Sequence, residues 1–327
     1  QKIKVGLIQP NLNPWKKWEI GNLNTQIDLY LSLSMKAIEE GAGLIVWPES
    51  ALPVYLLTDS NKDGANRIFN FVDTVGVPVL AGMPDATFYD DKSKAPEDAK
   101  PLSKSDSYYT SYNSILLFTP GSRIVQKYGK IKLVPFGEKV PLVEYIPILG
   151  DLIKWNVGIS SWNTGKEIKV FSIPTAKISN LSKHNLKDTL KIAGLVCIES
   201  IYPDFCAEFI QKGAVLIAVV TNDSWYGNSS GPYQHKEFSV LRAIENRKSV
   251  VRAANGGISC LINPLGETVA ETKLFTRDYL VVEVSIEDHS TFYSNYPLII
   301  PYFSIILTIL VILIFIYKRY FLTKCIK

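Results

Sequence analysis

The chain has 327 residues, 47% of them hydrophobic and 20% charged, which suits one large globular domain with a short appendage and argues against disorder. Its net charge of +4, from 35 basic against 31 acidic residues, is too slight to argue for nucleic acid, and no basic stripe interleaved with aromatics appears. Cys197, Cys206, Cys260 and Cys325, like His184, His235 and His289, are scattered without CxxC spacing, so neither a disulfide framework nor a metal site is expected; with no Walker loop, GxGxxG or HExxH, no cofactor is expected either.

The chain opens at Gln1 on the strand-like "KIKVGLIQP", with no initiator Met, signal peptide or earlier hydrophobic span, which points to a removed N-terminal segment. An amphipathic stretch over 24–40 predicts a helix, followed by a strand in "GLIVWPE" (43–49), a helix over 65–74 and a strand in "VPVLAGM" (77–83). Residues 85–109 are polar and lysine-rich and read as an exposed loop, with a lid over a site as the functional alternative. "NSILLFT" (113–119) and "RIVQKY" (123–128) read as strands joined through the Pro-Gly turn of "TPGS".

"IKVFSI" (168–173) is the next strand, a second polar loop covers 179–188, and "KIAGLVC" (191–197) follows. Then come a helix over 203–212, the strand "AVLIAVV" (214–220) and a helix over 234–247. The strands "SVVRAAN" (249–255), "ISCLIN" (258–263) and "YLVVEVS" (279–285) complete the domain, the last two separated by a turn at "NPLGE". Eleven strands against four helices predict an α/β fold of two sheets stacked face to face with helices outside, and the near-continuous apolar strands are those of sheets covered on both faces.

Residues 298–317, "LIIPYFSIILTILVILIFIY", carry no charge and are long enough to cross a hydrocarbon core of roughly 30 Å. Lys318, Arg319, Lys324 and Lys327 follow, whereas the upstream flank has no lysine or arginine, so the positive-inside rule puts the C-terminus in the cytoplasm and the large domain outside. Tyr293, Tyr296 and Tyr302 on one side and Tyr317 and Tyr320 on the other fit interfacial belts. The expected divisions are a catalytic domain over 1–290, a linker over 291–297, a transmembrane helix over 298–317 and a basic tail over 318–327.

Three strand ends carry reactive groups, where α/β folds present their functional residues: Glu49 after "LIVWP", Lys130 after "IVQKYG" and Cys197 after "KIAGLV". Taken singly, Cys197 reads as a buried small hydrophobe, Glu49 as a capping carboxylate and Lys130 as a solvated loop lysine. Together they make a nucleophilic site: Glu49 removes the thiol proton, and Lys130 with the backbone N–H of Ile198 holds the oxyanion.

The ordered set "VWPESALP" (46–53), "YGKIKLVPFGEKVPL" (128–142), "VCIES" (196–200) and "TNDSWYG" (221–227) resembles the nitrilase, or carbon-nitrogen hydrolase, superfamily. Within it, "KLVPFGE" and "GPYQH" (231–235) resemble the bacterial apolipoprotein N-acyltransferase branch, to which a terminal hydrophobic helix also fits. The resemblance implies a four-layer αββα sandwich with a C-terminal transmembrane helix, and membrane helices before the domain that this chain does not contain. It puts the catalytic residues on Glu49, Lys130 and Cys197, further important glutamates on Glu138 and Glu199, and a tryptophan on Trp18, with Trp15 as rival. The residue after the nucleophile, usually tyrosine in this branch, is Ile198 here.

The implied reaction moves a fatty acyl chain from a membrane phospholipid to Cys197 as a thioester, then to the α-amine of the lipidated N-terminal cysteine of a diacylglyceryl apolipoprotein. A monomer in a bacterial inner membrane, with the catalytic domain periplasmic, is expected. Asn222, Asp223, Trp225, Tyr226 and Tyr233 are possible pocket residues, with turn amides and surface aromatics as the plainer reading; Cys206 and Cys260 are expected to be packing. Two alternatives stand beside the acyltransferase: a membrane-tethered amidase or hydrolase using the same three residues, and an inactive binding module displayed on a membrane.

Overall fold

The computed structural model describes residues 2–16, 23–102, 105–138, 162–178 and 188–322. Two sheets carry the domain. The first holds β13 (Asp278–Ser285), β1 (Lys2–Gln9), β2 (Leu44–Trp47), β3 (Val79–Tyr89), β5 (Tyr108–Phe118) and β4 (Lys100–Pro101) in that order, with β6 (Gln126–Gly129) also on β5. The second runs β12 (Thr268–Glu271), β11 (Cys260–Ile262), β10 (Val250–Ala254), β9 (Leu216–Thr221), β8 (Thr189–Val196), β7 (Val170–Pro174). At the heart of each sheet are three parallel strands, β1-β2-β3 and β10-β9-β8, and antiparallel strands flank them.

The alternation of side chains explains why the strands are apolar throughout. Leu80, Ile115 and Leu117 join Leu195, Val219 and Val251 in the core between the sheets. Their neighbours Val79, Ala81, Leu116 and Phe118 turn outward, onto Tyr30, Ile68, Phe69 and Val72 of α1 (Leu23–Glu39) and α2 (Lys62–Val75). Trp47 fixes that outer layer: its ring lies 4.7 Å from that of Tyr30, and its indole N–H donates to Ser34 Oγ at 2.9 Å. Behind the second sheet lie α3 (Pro203–Gln211) and α4 (Gly231–Asn246), so the layers run helix, sheet, sheet, helix as expected. Gly194 lets the sheets approach, since a Cβ there would lie 2.7 Å from Phe171 and 2.9 Å from Ile115.

The polar stretch 85–109 is not a loop throughout. β3 continues to Tyr89 and β5 begins at Tyr108, paired as far as Tyr89 with Tyr108. The aromatic and β-branched ends, "ATFY" and "YYTSY", favour strand over their polar surroundings. The loop expected at 179–188 lies, except for Asp188, outside the described residues.

After β13, a helical turn at Phe292–Asn295 leads into α5 (Ile299–Leu322). Thr291 caps that turn by accepting from Ser294 N, and its own hydroxyl donates to Glu245 O at 2.6 Å, which ties the approach to the end of α4. Within residues 299–320 an 18-residue window has a mean hydropathy of 2.9 and no buried residue, which makes this the one described helix long and apolar enough to cross a membrane. It continues past Tyr317, where the uncharged run stops, through Lys318 and Arg319.

Candidate active site

Glu49, Lys130 and Cys197 each stand just beyond a strand, after β2, β6 and β8. The three loops meet: Lys130 Nζ lies 3.6 Å from Glu49 Oε1, and both side chains act electrostatically on Cys197. Backbone contacts hold the first two loops. Ala51 N donates to Gly82 O at 2.7 Å, Lys130 N donates to Asn113 O at 2.8 Å, and Gly165 N donates to Lys130 O at 2.8 Å. Gly82 leaves room for the Glu49 turn; a Cβ there would lie 2.6 Å from Pro48 O and 2.7 Å from Glu49 Cα.

Three residues without glycine's freedom adopt left-handed backbone at this place: Ser50 at φ +49°, Phe136 at +63° and Cys197 at +51°. Each costs about 1–3 kcal/mol, and such strain clusters at functional sites. At Cys197 it falls on the tight turn from β8 into the 3-10 helix Cys197–Ile201.

Lys130 is fully buried, yet well supplied with negative charge. Its Nζ lies 2.8 Å from Glu138 Oε2 and 3.6 Å from Glu49 Oε1. Burial works against the ammonium, but the Glu138 carboxylate and then the Glu49 carboxylate outweigh it and hold the amine above its ordinary range. Asn113 bridges the two acids, its Nδ2 donating to Glu49 Oε1 at 2.7 Å and to Glu138 Oε1 at 2.9 Å. Glu138 Oε2 also accepts from Val134 N at 2.8 Å. Among the described residues, the hydrogen bond and the ion pair of Glu49 both fall on Oε1.

Cys197 is partly exposed. Burial pushes its thiol up, the Glu49 carboxylate adds to that, and Lys130 opposes it. At neutral pH the resting group is therefore a thiol, which becomes nucleophilic when a base takes its proton.

Glu199 is buried two residues on, where it accepts four hydrogen bonds. Tyr128 Oη and Ile131 N donate to its Oε1, each at 2.7 Å, Lys132 N donates there at 3.2 Å, and Val196 N donates to Oε2 at 2.8 Å. Burial raises its carboxyl despite these donors. Its position clamps the Lys130 loop to the Cys197 loop.

The end of β9 adds a second buried network. Asp223 Oδ2 accepts from Arg252 Nη2 at 2.7 Å, and its Oδ1 lies 2.9 Å from His235 Nδ1. Burial raises the Asp223 carboxyl, but the Arg252 guanidinium overcomes it and holds the group down at about 2. His235, Arg252 and Asn113 were not singled out from the sequence. Arg252 left a signal, a lone charge inside the apolar "SVVRAAN", which demands a buried partner.

The amides of Asn222 and Asn255 lie 3.0 Å apart, and Asn255 exchanges hydrogen bonds with the backbone of Leu12, pinning the segment after β1 beside the site. On that segment Trp15 meets Trp225 edge to face at 5.1 Å. Trp18, the favoured tryptophan, lies outside the described residues. The Tyr226 ring lies 6.1 Å from His235, and its hydroxyl is pushed up to about 12, first by burial and then by the Cys197 side. Tyr233 is exposed on the first turn of α4. Cys206 and Cys260 are buried in α3 and β11, with thiols pushed up by burial to about 12 and about 11.

A family model for carbon-nitrogen hydrolases matches residues 4–292. The apolipoprotein N-acyltransferase of Chlorobaculum tepidum is 35% identical over 302 residues, covering 92% of this chain and 54% of that protein. That of Geobacter metallireducens is 32% identical over 294 residues, covering 90% and 50%. The chain spans about half the length of these curated relatives. Among solved structures, Saccharomyces cerevisiae Nit3, a member of branch 10 of the nitrilase superfamily, superposes with a TM-score of 0.59 at 17% identity over 91% of this chain and 96% of that one. An amidase from Nesterenkonia sp. gives 0.55 at 16% identity, over 86% and 90%. These two establish the shared fold, and with the family match over nearly the whole domain, the chain belongs to the carbon-nitrogen hydrolases.

Proposed function

We propose that this chain is the catalytic part of an N-acyltransferase of lipoprotein maturation, carrying a fatty acyl group from a membrane phospholipid to an apolipoprotein amine through Cys197. The observation that carries the reading is the meeting of Glu49, Lys130 and a left-handed Cys197 at three strand ends. The relatives named apolipoprotein N-acyltransferase support the choice of acceptor.

In the first half-reaction Glu49 Oε2 takes the thiol proton as sulfur attacks the phospholipid ester carbonyl. The oxyanion is held by the Lys130 ammonium and the Ile198 N–H. Collapse breaks the ester C–O bond, Glu49 returns the proton to the leaving alkoxide, and a lysophospholipid departs. In the second half, the α-amine of the diacylglyceryl-cysteine attacks the thioester, Glu49 accepts its proton, and the thiolate leaves and is reprotonated. Water need not enter either half. Glu138 and Glu199 hold the machinery in place, Glu138 through Lys130 and Glu199 through both loops. Asn222, Asp223 and Trp225 are assigned to the pocket wall, and Tyr226 and Tyr233 to its lipid-facing mouth.

The reading places residues 1–290 outside the bacterial inner membrane, 291–297 as a linker, the helix in the bilayer and the basic tail in the cytoplasm. The test supplies the full chain in phospholipid vesicles with a diacylated lipopeptide and separates amide product from free fatty acid. The acyltransferase gives mainly amide. Dominant free acid would instead identify a tethered hydrolase, and no product of either kind a binding module.

A further inference from the structure

His235 makes no contact with Glu49 or Lys130, yet it reaches the backbone of the nucleophile. Its Nε2 lies 3.2 Å from the carbonyl oxygen of Cys197, and Ser200 Oγ donates to that same oxygen at 2.8 Å. A carbonyl oxygen only accepts, so the contact is a hydrogen bond when Nε2 carries the proton; Nδ1 faces Arg252 Nη2, a donor, at 3.2 Å as well as Asp223 Oδ1. The peptide that follows Cys197 is planar and trans, so its C=O and the N–H of Ile198 point in opposite directions. Whatever fixes the carbonyl therefore aims the Ile198 N–H.

We propose that His235, together with Ser200, is a positioning residue for oxyanion stabilisation: by clamping the Cys197 carbonyl it turns the Ile198 N–H toward the reacting carbonyl. This rests on the reading of Cys197 as nucleophile given above.

The clamp is itself immobilised. His235 is buried on α4, with Nδ1 2.9 Å from Asp223 Oδ1. Asp223 Oδ1 also accepts from Thr221 Oγ1 at 3.0 Å, and Oδ2 accepts from Arg252, whose Nη1 donates to Ile258 O at 2.6 Å. Gly257 closes the back, for a Cβ there would lie 2.2 Å from Asp223 Oδ2. Residues from the ends of β9 and β10 thus fix one imidazole, and the imidazole fixes one carbonyl. Cys197 opens the 3-10 helix Cys197–Ile201 in a left-handed conformation, and the two side-chain donors add to that turn's hold on its first carbonyl. The arrangement also explains how Ile198 can stand where the branch carries tyrosine, since the oxyanion donor is a backbone group whose aim is set from behind.

The test compares two reactions of the full chain at Cys197, both read by peptide mass spectrometry. Alkylation by iodoacetamide expels iodide and forms no oxyanion, whereas acylation by phospholipid does. His235→Ala is expected to slow acylation about 10²-fold, the scale of losing one oxyanion donor, and to change alkylation less than about threefold. His235→Gln, which keeps an N–H at the Nε2 position, is expected to recover most of the loss. Ser200→Ala removes the other donor with little change in volume and is expected to slow acylation about tenfold with alkylation intact; it keeps the test open should His235→Ala fail to fold. Equal losses in both reactions, a glutamine variant as slow as alanine, or unchanged acylation in Ser200→Ala would overturn the clamp. Full acylation activity in Cys197→Ala would overturn the nucleophile reading instead.

Discussion

Replacing Lys130 by methionine removes a buried cation of similar length and leaves its partners in place. Glu138, at 2.8 Å, and Glu49, at 3.6 Å, would then face each other across Asn113, whose single Nδ2 already serves both. Removing one member of a buried ion pair costs about 3–5 kcal/mol, because the remaining charge is desolvated and uncompensated. In the parent, the Lys130 amine is held above its ordinary value, so its contribution is fully present below about pH 10.4 and is lost only as pH rises through the higher folded value. In the parent the Lys130 contribution is therefore constant between pH 5 and 8. In Lys130→Met the facing carboxylates can relieve their repulsion by taking up a proton, so the deficit should shrink as pH falls. Urea melts of both proteins in the same detergent at pH 8 and pH 5 measure it. A deficit below about 1 kcal/mol, or one equal at both values, would refute the electrostatic account of the site. Acyl transfer should fall about 10²- to 10³-fold at either pH, through loss of an oxyanion donor.

Gly82→Ala should fold with a penalty of about 1–3 kcal/mol and lose most activity, because the new Cβ meets the backbone of Pro48 and Glu49, which cannot swing aside; thermal melts and acyl-transfer rates check both. Asp223→Asn should cost about 2 kcal/mol or more at pH 7: a carboxyl held at about 2 against an ordinary 3.8 stabilises the fold above about pH 4 and ceases to as pH falls through 2, so the difference in melting from the parent should fade below pH 3. Ending the chain after Asn295 removes α5 and should abolish flotation with phospholipid vesicles while leaving the circular dichroism of the domain otherwise α/β.

The proposed trio was legible because each member follows a short apolar strand, at the end where α/β folds present functional residues. What surrounds it was harder to read, for a physical reason: the partners come from strands far apart in the chain. Asn113 looks like the polar first residue of "NSILLFT" until β5 lies beside the Glu49 turn. Glu199 looks like part of a motif until Ile131, Lys132 and Val196 turn their amides toward it. The arm at 85–109 was misread because its lysines, aspartates and serines outnumber the tyrosines that pair across it. β12 was missed altogether, being four residues alternating between half-buried and exposed positions, a pattern too short to separate from a turn.

The central claim is that Cys197 carries the acyl group. Incubating the full chain with phospholipid alone and analysing the Cys197 peptide by mass spectrometry tests it most directly. The expected result is the added mass of one fatty acyl chain on Cys197, discharged when a diacylated lipopeptide is supplied. An unmodified Cys197 in protein that is transferring acyl groups would contradict the account.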